Sequence, residues 1–389
     1  MKKKIISNIV LLGLVSLFID MSSEMVYPLI PLYLTTTLGA TPVIVGFIEG
    51  IAESLASLLK VYSGYIGDVY HNKKKLAFIG YSASFFYKLI LLLASNWFIV
   101  LLARIIDRSG KGIRTAPRDA LLAQASDQKK LGGTFGFHKM MDMAGSAIGV
   151  IFAYLFIVNA FGYEKAFIFS IIPAIIGVLI IFFVKENKGQ VKKTEKFNFK
   201  DLVLSSKLKS YLFIVFLFTL GNSSNTFLLL KAADNGYSAS QVILLYLVFN
   251  VSASVLSIPA GKLSDAFGRR NVLVAAYLVY GLVYFGFAYA SSQMMIALLF
   301  IAYGAYSAFI SGAERAFVVE NSPVNMKGTL LGLYGTIQGI GLLLSSIMAG
   351  LLWNLFSSTA PFIFGGCMGI LSAILVIILF NIYDQKEMI

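Results

Sequence analysis

GKLSDAFGRRN, residues 261–271, stands between two apolar runs, and GYIGDVYHNKKK, residues 64–75, echoes it in the first half of the chain. The two aspartates, Asp68 and Asp265, lie 265 − 68 = 197 residues apart, close to half of the 389-residue length. Arg118 and Arg315 repeat that offset of 197. A looser pair agrees: GTFGF (133–137) and GTLLGL (328–333) each open an apolar run. Independent landmarks at one offset predict a parallel duplication.

The runs between these landmarks are long. The chain is 58% hydrophobic and 13% charged, whereas soluble domains carry about 25% charged residues. It therefore reads as an integral membrane protein. A membrane helix needs about 20 mostly apolar residues. That rule gives twelve spans, near 6–32, 42–66, 76–95, 97–118, 131–158, 164–184, 209–231, 238–262, 271–290, 293–319, 328–353 and 359–382. The first run passes into IDMSSEMVYPLIPLYL without a small-residue cleavage site, so it reads as an uncleaved span. The longest polar stretch, 185–209, separates the sixth and seventh spans. The expected fold is thus an all-α polytopic membrane protein of twelve transmembrane helices in two pseudo-symmetric six-helix bundles. The bundles are residues 1–185 and 209–389, with 186–208 as a cytoplasmic linker.

Charge sets the orientation. Lys2 to Lys4, Lys73 to Lys75, Lys129, Lys130, the linker lysines, Arg269, Arg270, Lys327 and Lys386 fall in alternate loops, while the opposite loops hold only Lys165 and Lys231 near span ends. By the positive-inside rule both termini and the linker are cytoplasmic. The net charge of +13 is spread over these loops, which argues against a nucleic-acid partner and for the lipid bilayer. The single cysteine, Cys367, excludes an internal disulfide and a cysteine metal cluster.

The two loops and the duplication resemble the major facilitator superfamily, whose signature follows spans two and eight. The copy at Gly261, Asp265, Gly268, Arg269 and Arg270 matches fully; the first keeps Gly64 and Asp68 but has His71 at the second glycine. The resemblance implies a secondary transporter working by alternating access, with Asp68 and Asp265 helping to close the inner gate near Arg118. DRSGKGIRTAPRDAL, residues 107–121, also resembles a prokaryotic subgroup of that superfamily, which implies a prokaryotic cytoplasmic membrane.

A charge at the bilayer centre costs about 2.5–3.5 kcal/mol on insertion scales, so intramembrane charges should face the protein interior. The first half is rich in them. Asp20 and Glu24 share one face of span one, and Glu49 and Glu53 share one face of span two. Span four carries Arg104, Asp107, Arg108, Lys111, Arg114 and Arg118, and span five carries His138, Lys139 and Asp142. Counting from Trp97 at ~1.5 Å per residue, Asp107 lies about 15 Å deep, near the midplane. Pro117 is expected to end or bend that helix. SGKG at 109–112 lacks the upstream glycine of a phosphate loop, since position 105 is Ile105. Lys60 and Lys88 read as snorkelling or paired side chains. The second half has fewer deep charges, mainly Glu314, Arg315 and Glu320. It offers instead GNSSN (221–225, with Asn222 and Asn225), Asn250, Gln338, Tyr246, Tyr303, Tyr306 and Phe309.

Glu49, Glu53, Arg104 and Arg108 read either as structural ion pairs between helices or as part of a transport pathway. Asp20 and Glu24 favour function, because two carboxylates on one turn in lipid do not readily both ionise, which suits a proton carrier. His138 reads as a core group or a proton relay. The expected function is proton-coupled efflux of an amphipathic or cationic small molecule, without a cofactor or metal and with an ion gradient, H⁺, as the driving force. The alternative is an organic anion held by Arg104 and Arg108. A membrane enzyme would need a nucleophile with its base or a metal cluster, and a receptor a sizeable extramembrane domain. Neither is in the sequence. Such an architecture encloses its own pathway and can act as a monomer.

Overall fold

The computed structural model describes residues 2–70, 72–125, 131–186, 204–321 and 327–387; some side chains within those helices, among them those of Asp68, Asp265, Arg315 and Glu320, lie outside the described set. The described secondary structure is helical throughout. In lipid no water satisfies a free N–H or C=O, so an apolar run closes its own hydrogen bonds as helix.

The spans are Lys2–Glu24, Pro42–Tyr70, Lys73–Leu92, Trp97–Ala125, Leu131–Val158 and Gly162–Ile181, then Ser206–Gly221 continued by Thr226–Asp234, Ala239–Phe267, Arg269–Tyr289, Gln293–Glu320, Lys327–Leu355 and Ala360–Glu387. Eleven described segments are long and apolar enough to cross a membrane. The fourth span, Trp97–Ala125, is too charged to be counted that way and makes the twelfth.

Backbone contacts divide the chain into two compact units, Met1–Ala40 with Ile51–Phe197, and Thr41–Gly50 with Asn198–Ile389. The first turns of span two therefore pack within the second unit, a partition that a simple cut at the linker does not anticipate.

In the first unit, Leu12, Val15 and Ile19 of span one meet Ala77 and Tyr81 of span three and Leu121 and Leu122 of span four. Of the two outcomes expected of Pro117, to end or to bend its helix, the first does not occur, and that packing explains why. Pro117 removes one ladder hydrogen bond, but Leu121, Leu122 and Ala125 are buried beyond it and hold the helix to Ala125. Span one departs in the other direction. Its regular helix stops at Glu24, and residues 27–37 continue as short, irregular helical turns, because Pro28 and Pro31 carry no N–H to donate.

Lipid tails are as apolar as leucine, so helices in a membrane cohere by close packing and hydrogen bonds. The SGKG glycines supply the first. A Cβ at Gly110 would lie 2.6 Å from the Gly80 carbonyl of span three, and one at Gly112 would lie 2.8 Å from the Ala56 carbonyl of span two. Span four is therefore wedged between two neighbours, which is the structural use of a sequence that mimics a phosphate loop.

The second unit starts from well-defined caps. The Ser205 hydroxyl accepts from Leu208 N–H (3.2 Å), and Ser238 forms a capping box with Gln241. Gly268, at φ +80°, is the single residue joining spans eight and nine, a conformation that favours glycine. Span seven is broken at Asn222–Asn225. Around the break, Phe218, Tyr280, Tyr284, Tyr303 and Tyr306 pack ring against ring, with centroids 4.1–6.1 Å apart.

Candidate functional site

Span four aims its charges into the first unit. Arg104 is 1% exposed, Asp107 5% and Arg108 7%. Asp107 stands between the two arginines, 3.5 Å from Arg104 and 3.6 Å from Arg108. Arg108 also reaches Glu53 of span two at 3.1 Å. Both guanidinium groups lie over the Tyr27 ring, at 5.4 and 5.5 Å from its centroid, a favourable cation–π arrangement. The acidic neighbours expected for Arg104 and Arg108 are thus Asp107 and Glu53. Glu49 lies one turn before Glu53 on span two. It is buried, and Ser224 in the second unit donates to it at 3.4 Å; residues 42–50 lie before the stretch of span two that faces Arg108.

Asp20 also has a different partner from the one its helix spacing indicates. Its carboxyl stands beside that of Asp142 in span five, and Ser16 donates to Asp142 from the turn below. Two adjacent buried carboxylates repel one another when both are ionised. Arg114 approaches Asp20 at 4.0 Å while donating to Ser84 Oγ at 2.6 Å and covering the Tyr81 ring. Asp20, Glu24, Tyr27, Arg104, Asp107 and Arg114 line one enclosed polar cavity of about 20 Å³, room for about one water molecule. Glu24 joins Asp20 there by lining the same space.

His138 is buried one turn before Asp142, and its Nε2 meets no hydrogen-bond acceptor or donor among the described residues. Lys88 does not snorkel. It is fully buried, donates to the Ser84 carbonyl at 2.7 Å and lies 4.3 Å from the Tyr87 ring centroid.

In the second unit the broken span seven is held by side chains. Tyr280 donates to the Gly221 carbonyl at 2.8 Å, Asn222 to the Tyr306 hydroxyl at 3.3 Å, and Tyr303 to Asn225 Oδ1 at 2.9 Å. Asn222, Asn225 and Tyr306 are therefore brought together, as their polar character in an apolar span led one to expect. Gln338 lies elsewhere. It donates to Glu314 at 3.0 Å and to the Tyr334 hydroxyl at 2.6 Å. Tyr277 and Tyr334 also donate to Glu314, which is 3% exposed. Sequence reading noted Glu314 as deep but gave it no role. The available signal was Tyr334 and Gln338, four residues apart on one helical face.

Of the gating residues, Arg118 binds its neighbour Asp119 at 2.9 Å, and Arg270 binds Asn381 of span twelve. Gly268 makes the tight turn that the motif requires, and Arg269 follows it as the first residue of span nine. The side chains of Asp68 and Asp265 and the surroundings of Gly64 and Gly261 lie outside the described residues, as does His71.

Twelve spans, a duplicated helical plan and a polar interior paired within the bundle define a multi-pass membrane protein of the transporter class. The family model described as Major Facilitator Superfamily matches residues 12–229 and 211–387. The chain belongs to that family, whose members are transporters and not enzymes. An uncharacterized MFS-type transporter of Methanocaldococcus jannaschii is 34% identical over 382 residues, 96% of this chain and 95% of that protein. The quinolone resistance protein NorA of Staphylococcus aureus is 26% identical over 154 residues, 40% of this chain and 39% of that one. Among solved structures, a nucleoside transporter, NupG, aligns with a TM-score of 0.82 at 13% identity, covering 96% of this chain and 99% of its own. A POT family transporter crystallised with 5-aminolevulinic acid aligns at 0.81 and 11% identity, covering 95% of each. At those identities the structural likeness speaks for the fold alone.

Proposed function

We propose that this transporter is proton-coupled and exports an amphipathic small molecule across a prokaryotic cytoplasmic membrane, as a monomer with both termini cytoplasmic. The observation that carries the coupling is the side-by-side placement of the Asp20 and Asp142 carboxyls next to Arg114. A carboxyl pair holding one proton beside Arg114 is a proton site with a built-in exchange: losing the proton leaves a charge that Arg114 can balance. No cofactor is required, since the H⁺ gradient drives the cycle by alternating access of the two halves. The partial likeness to a quinolone resistance protein supports the outward direction, and archaeal and bacterial relatives support the membrane assigned.

The substrate charge turns on the cavity lining. Arg104, Arg108, Lys111 and Arg114 face Asp20, Glu24 and Asp107 there, and the Asp20–Asp142 pair keeps a proton. Glu53 beside Arg108 balances that count, so the anion reading rests on the two guanidinium groups side by side. Arg104 and Arg108 would then present guanidinium N–H groups to an anionic head, and the tyrosines around Asn222 and Asn225 would take an apolar body.

The test is a substrate screen in proteoliposomes under an imposed pH gradient, run with organic anions and organic cations, wild type beside Asp20→Asn. Gradient-driven uptake by wild type and its loss in a folded Asp20→Asn protein are expected. Undiminished coupled transport by the variant would sink the assignment of Asp20.

A further inference from the structure

Glu314 poses a question that the carboxylates of the first unit do not. Asp107 and Glu53 are paired with arginines, and a guanidinium donates but never accepts. Such partners suit one state of the carboxylate, the ionised one. The contacts of Glu314 are of another kind. Oε1 accepts from Tyr277 of span nine at 2.7 Å, and Oε2 accepts from Tyr334 and Gln338 of span eleven, the latter at 3.0 Å. A tyrosine hydroxyl and a side-chain amide each carry both a donor and an acceptor. By rotating O–H bonds this cage can donate to a carboxylate or accept from a carboxylic acid without moving a helix. Gln338 also donates to the Tyr334 oxygen, which ties the cage together.

The chain's own duplication strengthens the comparison. In the first unit the Asp20–Asp142 network draws on spans one, three, four and five, through Asp20, Tyr81, Arg114 and Asp142. The Glu314 network draws on spans nine, ten and eleven, the counterparts of three, four and five. The Tyr211 ring of span seven, the counterpart of span one, packs 4.1 Å from Phe317, one turn along from Glu314. Each half therefore places a buried carboxyl network among the same helices of its bundle.

We propose that Glu314 is a second proton-binding site, with Tyr277, Tyr334 and Gln338 as the groups that solvate both of its protonation states. Titratable groups around it include Tyr211 on span seven, Tyr277 on span nine, Tyr306 on its own span and Tyr334 on span eleven; Arg315, next on the helix, has its side chain outside the described set. This site goes beyond the coupling assigned to Asp20, and it stands or falls separately.

The experiment is infrared difference spectroscopy of the purified protein in lipid, stepped in pH, reading the carbonyl stretch of protonated carboxyl groups with no substrate added. Wild type is expected to show a titrating band that Glu314→Gln removes and Asp20→Asn leaves in place. Tyr334→Phe keeps the carboxyl and takes away one hydrogen bond, so it is expected to move the band's frequency and midpoint. A Glu314→Gln spectrum identical to wild type would overturn the proposal. Should that variant not fold, Tyr334→Phe decides: a displaced band supports the site, and an unchanged one overturns it.

Discussion

Neutralising Asp107 probes the core of the first unit. Asp107→Asn keeps the shape and volume of the side chain, so no cavity opens and the change is one of charge. Asp107 is 7% exposed at its side chain and lies 3.5 and 3.6 Å from the two arginines. At an effective dielectric of about 20, each contact carries roughly 5 kcal/mol of gross attraction. Desolvation offsets most of that, and the asparagine oxygen still accepts a hydrogen bond. Breaking a buried pair from one side nonetheless costs about 3–5 kcal/mol, because the other charge is left in place. Glu53 remains beside Arg108, but it is 27% exposed at its side chain and offsets only part of the loss. Asp107→Asn is therefore expected to lose about 3–5 kcal/mol in reversible unfolding in mixed micelles, followed by circular dichroism. Adding Arg104→Gln restores the balance of charge and is expected to recover about half of that loss. A single variant within about 1 kcal/mol of wild type, or a double variant no better than the single, would refute the network as described.

Other expectations follow from the same contacts. Gly110→Val places side-chain carbons against the Gly80 carbonyl and should cost about 1–3 kcal/mol by overpacking, read in the same unfolding assay. Gly268→Ala forces φ +80° on a residue with a Cβ and should cost about 1 kcal/mol; an unchanged midpoint would count against the one-residue turn. Tyr280→Phe removes the donor to the Gly221 carbonyl and should lower stability by about 1–3 kcal/mol, the cost of a buried acceptor left without it. Orientation is checked in a Cys367→Ser background: Lys75→Cys should react with an impermeant maleimide only from the cytoplasmic side, and Asn96→Cys only from the other. Reaction of both from one side would reverse the topology.

Much of the fold is legible in the sequence because lipid leaves a chain few choices. An apolar run of sufficient length becomes a helix, and the repeat at Asp68 and Asp265 arranges the helices in two sets. Span ends are less legible. Pro117 reads as a stop or a bend, yet the helix runs on because the leucines beyond it are buried, and packing outweighs one missing hydrogen bond. The site divides in the same way. Helical periodicity shows which residues share a face, so the alignment of Arg104, Asp107 and Arg108 is visible in advance. Partners across helices depend on the rotation of each helix about its axis, which no local pattern encodes. That is why the nearness of Asp20 to Asp142, and of Glu49 to Ser224, is not visible in advance. Glu314 was visible only as a buried charge, since its two tyrosines come from different helices.

The interruption of span seven has a mechanical meaning. An unbroken helix of its length would behave as one rod and carry a tilt from one face of the membrane to the other. Ser206–Gly221 and Thr226–Asp234 are 16 and 9 residues long, rods of about 24 and 13 Å. Between them the backbone is held by Tyr280, Tyr303 and Tyr306, and each of those links is a single hydrogen bond. A tilt of one rod is therefore not transmitted rigidly to the other, and the tyrosine hydroxyls, with Ser224 bonded to Ser346 and Glu49, hold the joint between them.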